Sequence, residues 1–324
     1  MAADKARADR PAALGRNRAI QARLSLPVMA PPGPDTGLDL RLLPDPRAIL
    51  VLAERENFAV ASRLMGPRLR DHLMAIYGYC RLADHLGDES GDDGPLPAAE
   101  ALDWLESDVR RLFAGKSAQY PLVEALRPAV ERFAIPMKPF LALIEANRQD
   151  QRVTRYQSFN DLVEYCRLSA NPVGHMVLHV FEAATAENLT LSDAICTALQ
   201  ITEHLQDVAE DYARGRIYLP LEDMTRFGVI EQTIADRTPT GEFRALMAYE
   251  AARTRDLFKD GLPLVNRLSG RRRLALAGFA GGGLAALDAL KEAGFDVFTR
   301  RPRPSKARRA NTVARVALGA ARVR

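Results

Sequence analysis

From residue 49 onward, apolar side chains recur at intervals of three and four over segments too long for strands, and strict apolar–polar alternation is almost absent. The pattern predicts helices near 47–65, 67–87, 97–115, 119–133, 136–148, 158–184, 190–213, 241–267 and 270–293. Ser158 before Leu162 and Ser192 before the 194–199 run read as helix starts, and Gly94 and Gly215 read as stops. No fixed-period repeat is present. About nine helices without a sheet bury a chain of this size by packing helix on helix around a central cavity, so the expected class is all-α in a single domain.

The flanks differ from this body. The stretch 27–46 is proline-rich and cannot hold regular structure, so residues 1–48 are expected as a flexible, basic arm, 49–299 as the helical domain and 300–324 as a basic tail. Residues 300–324 hold nine Lys or Arg and no acid, and residues 1–48 hold eight basic against five acidic. In a chain of net charge +4, that leaves residues 49–299 at about −8. An acidic body excludes a nucleic-acid partner. The tail, with Val313, Val316, Ala317 and Ala320 loosely spaced as on a helix, is open between a solvated extension and a peripheral contact with anionic lipid on the inner face of a membrane.

Composition adds exclusions. At 47% apolar and 27% charged residues, the 324-residue chain is neither fibrous nor wholly disordered. Its longest uncharged stretch, 274–287, is shorter than the roughly 20 residues a membrane-crossing helix needs. Cys80, Cys166 and Cys196 each lie in apolar segments and read as buried thiols in a reducing compartment. Residues 1–23 have no apolar run of signal-peptide length, which points to the cytoplasm.

Two acidic helices carry the candidate chemistry. In 77–89, Tyr77, Arg81, Asp84 and Asp88 fall within about 60° of one another on one helix face. In 200–211, Gln200, Glu203, Asp207 and Asp211 likewise share a face. A lone pair of aspartates four apart is ordinarily a solvated face. Two such pairs inside apolar, aromatic-containing helices favour a compensating cation, because unpaired charge there is costly. Mg²⁺ takes oxygen ligands and binds through one or two carboxylates with phosphate oxygens, so two facing pairs suit a diphosphate held between metals. The metal would make that diphosphate a leaving group, and its departure implies a carbocation.

The acidic motif of 84–88, the motif Asp207-Val-Ala-Glu210-Asp211 and its continuation Arg214-Gly-Arg216-Ile-Tyr218-Leu-Pro220 resemble, in order and spacing, the squalene and phytoene synthase family across 54–304. Glu56-Asn57-Phe58 to Ser62, Tyr165 to Gly174 with Asn171-Pro172, and Gly294 to Pro302 resemble the hydroxysqualene synthase branch of hopanoid biosynthesis. The resemblance implies a prenyl synthase fold, with Asp84, Asp88, Asp207 and Asp211 at the Mg²⁺ and diphosphate positions. Arg81 and Arg216 would face the diphosphate, Phe58 the substrate, and Tyr77, Tyr165 and Tyr218 the reacting carbons, with Gln200 one turn above the second pair. His85 and Glu203 depart from many relatives, which carry Asp and Asn there; Glu203 lies on the stripe, where it would replace the amide as an oxygen ligand and its extra negative charge would alter metal affinity.

The implied reaction converts presqualene diphosphate and water to hydroxysqualene and diphosphate. The implied pathway partners are a presqualene diphosphate synthase and a hydroxysqualene oxidoreductase. Squalene synthase chemistry with NADPH, or condensation of farnesyl diphosphate to presqualene diphosphate or of two allylic diphosphates to phytoene, keeps the fold and changes the ending. A reading of another class is an inactive helical scaffold binding a membrane or pathway partner; the four intact aspartates oppose it.

Other signals are weaker. Gly281-Gly282-Gly283 lacks the strand and Gly-Lys of a phosphate loop and reads as close helix packing. His204 points near the acidic face and reads as a structural histidine beside the alternative of a water-orienting group. Arg271-Arg-Arg273 reads as a solvated helix end. Arg300-Arg-Pro-Arg303 stays open between phosphate or headgroup binding and a solvated cluster.

Overall fold

A computed structural model describes residues 42–52, 65–88 and 96–319. Among these residues there are sixteen helices and one isolated parallel bridge, Arg155 to Ile217, as the all-helical periodicity requires. In chain order they are α1 (Pro46–Leu52), α2 (Pro67–Asp88), α3 (Ala98–Phe113), α4 (Pro121–Glu124), α5 (Arg127–Phe133), α6 (Lys138–Asp150), α7 (Phe159–Ser169) and α8 (Asn171–Val180). Then follow α9 (Ala186–Gln206), α10 (Val208–Ala213), α11 (Leu221–Phe227), α12 (Glu231–Ala235), α13 (Gly241–Gly261), α14 (Pro263–Arg267), α15 (Gly270–Glu292) and α16 (Lys306–Ala317).

The amphipathic spacing puts each helix against the core. On α2, Ile76, Tyr79, Leu82, Ala83 and Leu86 are buried, and Tyr79 donates from its hydroxyl to the Phe140 carbonyl of α6 at 2.8 Å. On α3, Leu102, Leu105, Val109 and Leu112 face inward. Buried Asp108 accepts from the Gln119 and Tyr120 amides at 2.6 and 3.0 Å, which fixes the turn into α4. Ser158 caps α7 in a reciprocal box with Asp161, as expected. Ser192 does not start a helix: α9 begins at Ala186 under a Thr185 cap, and Ser192 is a buried mid-helix residue 3.8 Å from the Cys196 sulfur. The helix expected over 158–184 is interrupted at Ala170, because Pro172 in the first turn of α8 has no amide hydrogen to carry the ladder across.

α9, α13 and α15 form the centre. The glycine run of α15 packs as predicted: a Cβ on Gly281 would stand 2.8 Å from the Val313 Cα, so only hydrogen lets α15 and α16 cross this closely. By length and composition α15 is apolar enough to cross a membrane, although the uncharged run alone excluded it. Its apolar window is 61% buried in the protein, which accounts for that composition without a bilayer.

Both flanks differ from the expected boundaries. Leu43 is already buried, and the Tyr120 hydroxyl donates to the Pro44 carbonyl, so chain ordering begins before residue 49. Residues 306–317, expected within a tail, form α16, seated on α15 by Thr312 and Val316. The cysteines are free thiols, Cys166 buried and Cys80 and Cys196 partly so.

Candidate active site

The first acidic pair lies at the C-terminal end of α2. Gly87 brings this end against α6: Asn147 fills the place a Cβ would need, and Gln151 Nε2 donates to the Gly87 carbonyl at 2.9 Å. Asp84 and Asp88 are each nearly half exposed, so this pair sits at a rim. Arg81 Nη1 lies 3.5 Å from Asp84 Oδ2, and Arg216 Nη1 donates to Asp88 Oδ1 at 3.1 Å. Residue 216 is 128 positions further along, so this ion pair joins the two motifs. Tyr77 is buried one turn above Arg81 on α2. Phe58 lies outside the described residues.

The second motif is not one continuous helix. α9 ends at Gln206 and α10 starts at Val208, with Asp207 between them at φ −108°, ψ 15°. The ladder survives the bend: the Asp207 amide donates to the Glu203 carbonyl at 3.0 Å, and the Asp211 amide to the Asp207 carbonyl at 2.8 Å. Glu203 is exposed, whereas Asp207 and Asp211 are mostly covered. After α10 the Arg216 amide returns to the Asp211 carbonyl at 2.9 Å and the Ile217 amide donates to the Thr154 carbonyl at 3.0 Å. This clasp sets Arg216 and Tyr218 beside the start of α7.

An aromatic cluster forms the floor. Tyr156, Tyr165 and Tyr218 lie with ring centroids 5.4 to 5.8 Å apart, and His204 stacks on Tyr218 at 3.6 Å and 15°. His204 Nε2 is 3.2 Å from Gln200 Nε2, and its Nδ1 is 3.5 Å from Asp211 Oδ2. With the Gln200 amide donating, the Nδ1 hydrogen faces Asp211. The Tyr165 hydroxyl donates to Asp150 Oδ2 at 2.7 Å. Among the described residues, His204, Asp211, Arg216 and Tyr218 line a small pocket.

Charge is crowded here. Burial, assisted by Glu210, Asp211 and Glu203 and opposed by Arg301, pushes the Asp207 carboxyl up to about 6. Burial also raises Asp150, against the Tyr165 hydrogen bond and the Arg216 charge. For Arg216 burial acts to lower the pKa, but Tyr218, Asp150 and Asp88 outweigh it and hold the guanidinium charged. Arg301 forks onto Asp207, Nε to Oδ1 and Nη2 to Oδ2 at 2.6 Å each, and Gln206 Nε2 donates to the Pro302 carbonyl at 2.5 Å.

Among the described residues no three His, Cys, Asp or Glu side chains already converge as a metal cage. The donor set nevertheless fits a hard divalent cation. Each motif offers two carboxylate groups, Asp207 carries negative charge its surroundings disfavour, and Mg²⁺ commonly takes one or two carboxylates with phosphate oxygens completing its shell.

Sequence reasoning missed three participants: Arg301, Asp150 and Tyr156. Arg301 stood in a basic run from which no one residue could be singled out, and the other two lie at the end of α6 and in the turn after it, with no motif to mark them.

A helical bundle that sets two carboxylate pairs and convergent arginines over an aromatic floor is the architecture of an isoprenoid synthase. The family model described as squalene/phytoene synthase matches residues 52–308. A hydroxysqualene synthase of Rhodopseudomonas palustris is 34% identical over 67% of this chain and 73% of its own length. A 15-cis-phytoene synthase of Synechocystis is 34% identical over 78% of each chain. Maize phytoene synthase 3 is also 34% identical, over 76% of this chain, which spans only 58% of that relative's length. Among solved structures, squalene synthase HpnC from Alicyclobacillus acidocaldarius superposes with a TM-score of 0.70 at 38% identity, covering 80% of this chain and 97% of that one. A dehydrosqualene synthase in complex with ligand gives 0.75 at 26% identity, covering 85% and 99%. The chain belongs to the squalene/phytoene synthase family, whose members are prenyltransferase-type enzymes acting on prenyl diphosphates with a divalent metal.

Proposed function

We propose that the chain is a hydroxysqualene synthase: it takes presqualene diphosphate, expels diphosphate and captures the cation with water. The ionisation half of this reading rests on the Arg216–Asp88 ion pair, which joins the two acidic motifs into one site. The choice of branch is supported by the 34% identity to the hydroxysqualene synthase over 73% of that relative, and by Asn171, whose Oδ1 accepts from Thr197 at 3.0 Å. Asn171 is one of the residues on which the branch resemblance stands.

Mg²⁺ held by Asp84, Asp88, Asp207 and Asp211 would neutralise the departing diphosphate. Arg81, Arg216 and Arg301 offer it planar forks that bind two oxygens at once. Asp150 holds Tyr165 in place, and the faces of Tyr165 and Tyr218 stabilise a nearby carbocation by about 0.5 to 2 kcal/mol each. As the carbon–oxygen bond breaks, its electron pair leaves with diphosphate; the cyclopropylcarbinyl cation rearranges, a water oxygen bonds to one carbon, and its proton passes to the released diphosphate. Apolar walls must exclude other water, and the Gln200–His204 pair would orient the one water admitted.

The second reading is condensation of two prenyl diphosphates, favoured by phytoene synthases at the same 34% identity as the hydroxysqualene synthase. Incubating purified protein with Mg²⁺ and either farnesyl or presqualene diphosphate, with and without NADPH, separates them. Hydroxysqualene from presqualene diphosphate without NADPH is the expected product; squalene only with NADPH, or turnover of farnesyl diphosphate alone, overturns the assignment.

A further inference from the structure

We propose that α16 and the first turn of α15 form a docking surface for an anionic lipid bilayer. Three observations converge on this one corner, and none depends on which prenyl diphosphate is turned over.

The first is unpaired charge. Many arginines of the helical body are held by acids: Arg127 by Glu124, Arg148 by Asp103 and Glu106, Arg155 by Glu231, Arg253 by Glu250 and Asp223, Arg255 by Asp288. In 300–319 only Arg301 and Arg308 have acidic partners, Asp207 and Glu292. Arg300, Arg303, Lys306, Arg309 and Arg315 have none among the described residues, and all but Arg309 are exposed. The body of the protein is acidic, so this positive face is set apart from it.

The second is apolar exposure at the same place. Among the described residues four large aliphatic side chains are exposed, and two of them, Leu274 at 47% and Leu318 at 78%, belong to this pair of helices. Arg273 brings their neighbourhoods together, its Nε donating to the Ala317 carbonyl at 2.8 Å. Exposed leucines beside cations suit a surface that is anionic at its headgroups and apolar just beneath. Nucleic acid or an acidic protein patch would use the charges and leave the leucines in water.

The third is position. The same segment starts at the site, where Arg301 forks onto Asp207 and the Pro302 carbonyl accepts from Gln206. α16 then runs about 18 Å to the leucine corner. A bilayer on this face would therefore be tied, through one continuous segment, to Asp207 of the second acidic motif.

The test is co-sedimentation of the full chain with vesicles of phosphatidylcholine alone and with one-third phosphatidylglycerol, at low and high salt. The protein is expected to bind the phosphatidylglycerol vesicles selectively and to release as salt screens the attraction. Arg303→Ala/Lys306→Ala/Arg315→Ala should weaken binding about a hundredfold, at the usual contribution per surface cation. Leu274→Ser/Leu318→Ser should weaken it at least about tenfold while preserving the salt dependence. All five side chains are exposed and lie outside the site, so both variants should melt with the wild type and keep its activity on detergent-dispersed substrate. Equal sedimentation with both vesicle types, triple-variant binding that matches the wild type, or duplex DNA binding that outcompetes vesicles and ignores the leucine variant would each overturn the proposal.

Discussion

The two acidic motifs look interchangeable as sequence, each offering aspartates four apart on an amphipathic helix, yet the structure gives them different surroundings. Asp84 and Asp88 ride an unbroken α2 at a half-exposed rim. Asp207 sits at the interruption between α9 and α10, mostly covered, crowded by Glu203, Glu210 and Asp211 and held by the Arg301 fork. Both pairs meet arginines, but Asp84 and Asp88 meet Arg81 and Arg216 at an exposed rim, whereas Asp207 meets Arg301 under cover, where burial pushes its carboxyl up. Equal spacing therefore gives a loose half and a tight half of the candidate site.

The largest effect that sharpens this comparison is on turnover. Asp84→Asn and Asp207→Asn should each lower product formation by about a thousandfold, the scale seen when a preorganised electrostatic contact to a transition state is removed. Their melting behaviour should part: Asp84→Asn leaves the metal-free melting temperature unchanged, whereas Asp207→Asn raises it, because burial disfavours that charge. An unchanged or lower melting temperature for Asp207→Asn would contradict the contrast.

Next is Arg301→Ala, which leaves Asp207 covered without its counter-charge. Metal-free stability at neutral pH should fall by about 1 to 3 kcal/mol, the penalty for stranding a buried polar group, and Mg²⁺ should restore part of it. A denaturant titration with and without Mg²⁺ reads both. Tyr165→Phe tests the aromatic floor in the same range: it strips Asp150 of its hydroxyl donor and should cost about 1 to 2 kcal/mol while the fold persists.

The smallest effect is on pH. Asp207 titrates higher in the folded chain than the ordinary carboxylate value of 3.8, so the stability it contributes is complete below that value and is lost as pH rises through about 6. Relative to Asp207→Asn, the metal-free wild type should lose stability between about pH 4 and 7.

The same contrast explains what was legible in the sequence. α2 could be read nearly to the residue because an unbroken apolar stripe and a local charge pattern defined it. The Ser158 capping box was equally visible because capping is a local interaction. The break at Asp207 was not, since no proline or glycine marks it. The break at Ala170 carried its signal in Pro172, but the strong apolar periodicity on both sides concealed it. The short α11 and α12, and α16 with its basic sequence, depend on tertiary contacts more than on their own pattern; α16 holds because Gly281 leaves room for Val313. The tight half of the site was hardest to read for the same reason. Arg301 meets Asp207 across 94 residues, and Asp150 meets Tyr165 across a turn, pairings that only the folded chain brings together.

The central claim is that both carboxylate pairs bind one diphosphate through a divalent cation. Isothermal titration of inorganic diphosphate into the full chain, with and without Mg²⁺, tests it without catalysis. The account predicts binding that requires Mg²⁺ and is lost in both Asp84→Asn and Asp207→Asn. Diphosphate binding that needs no Mg²⁺, or that survives intact in either variant, would contradict it.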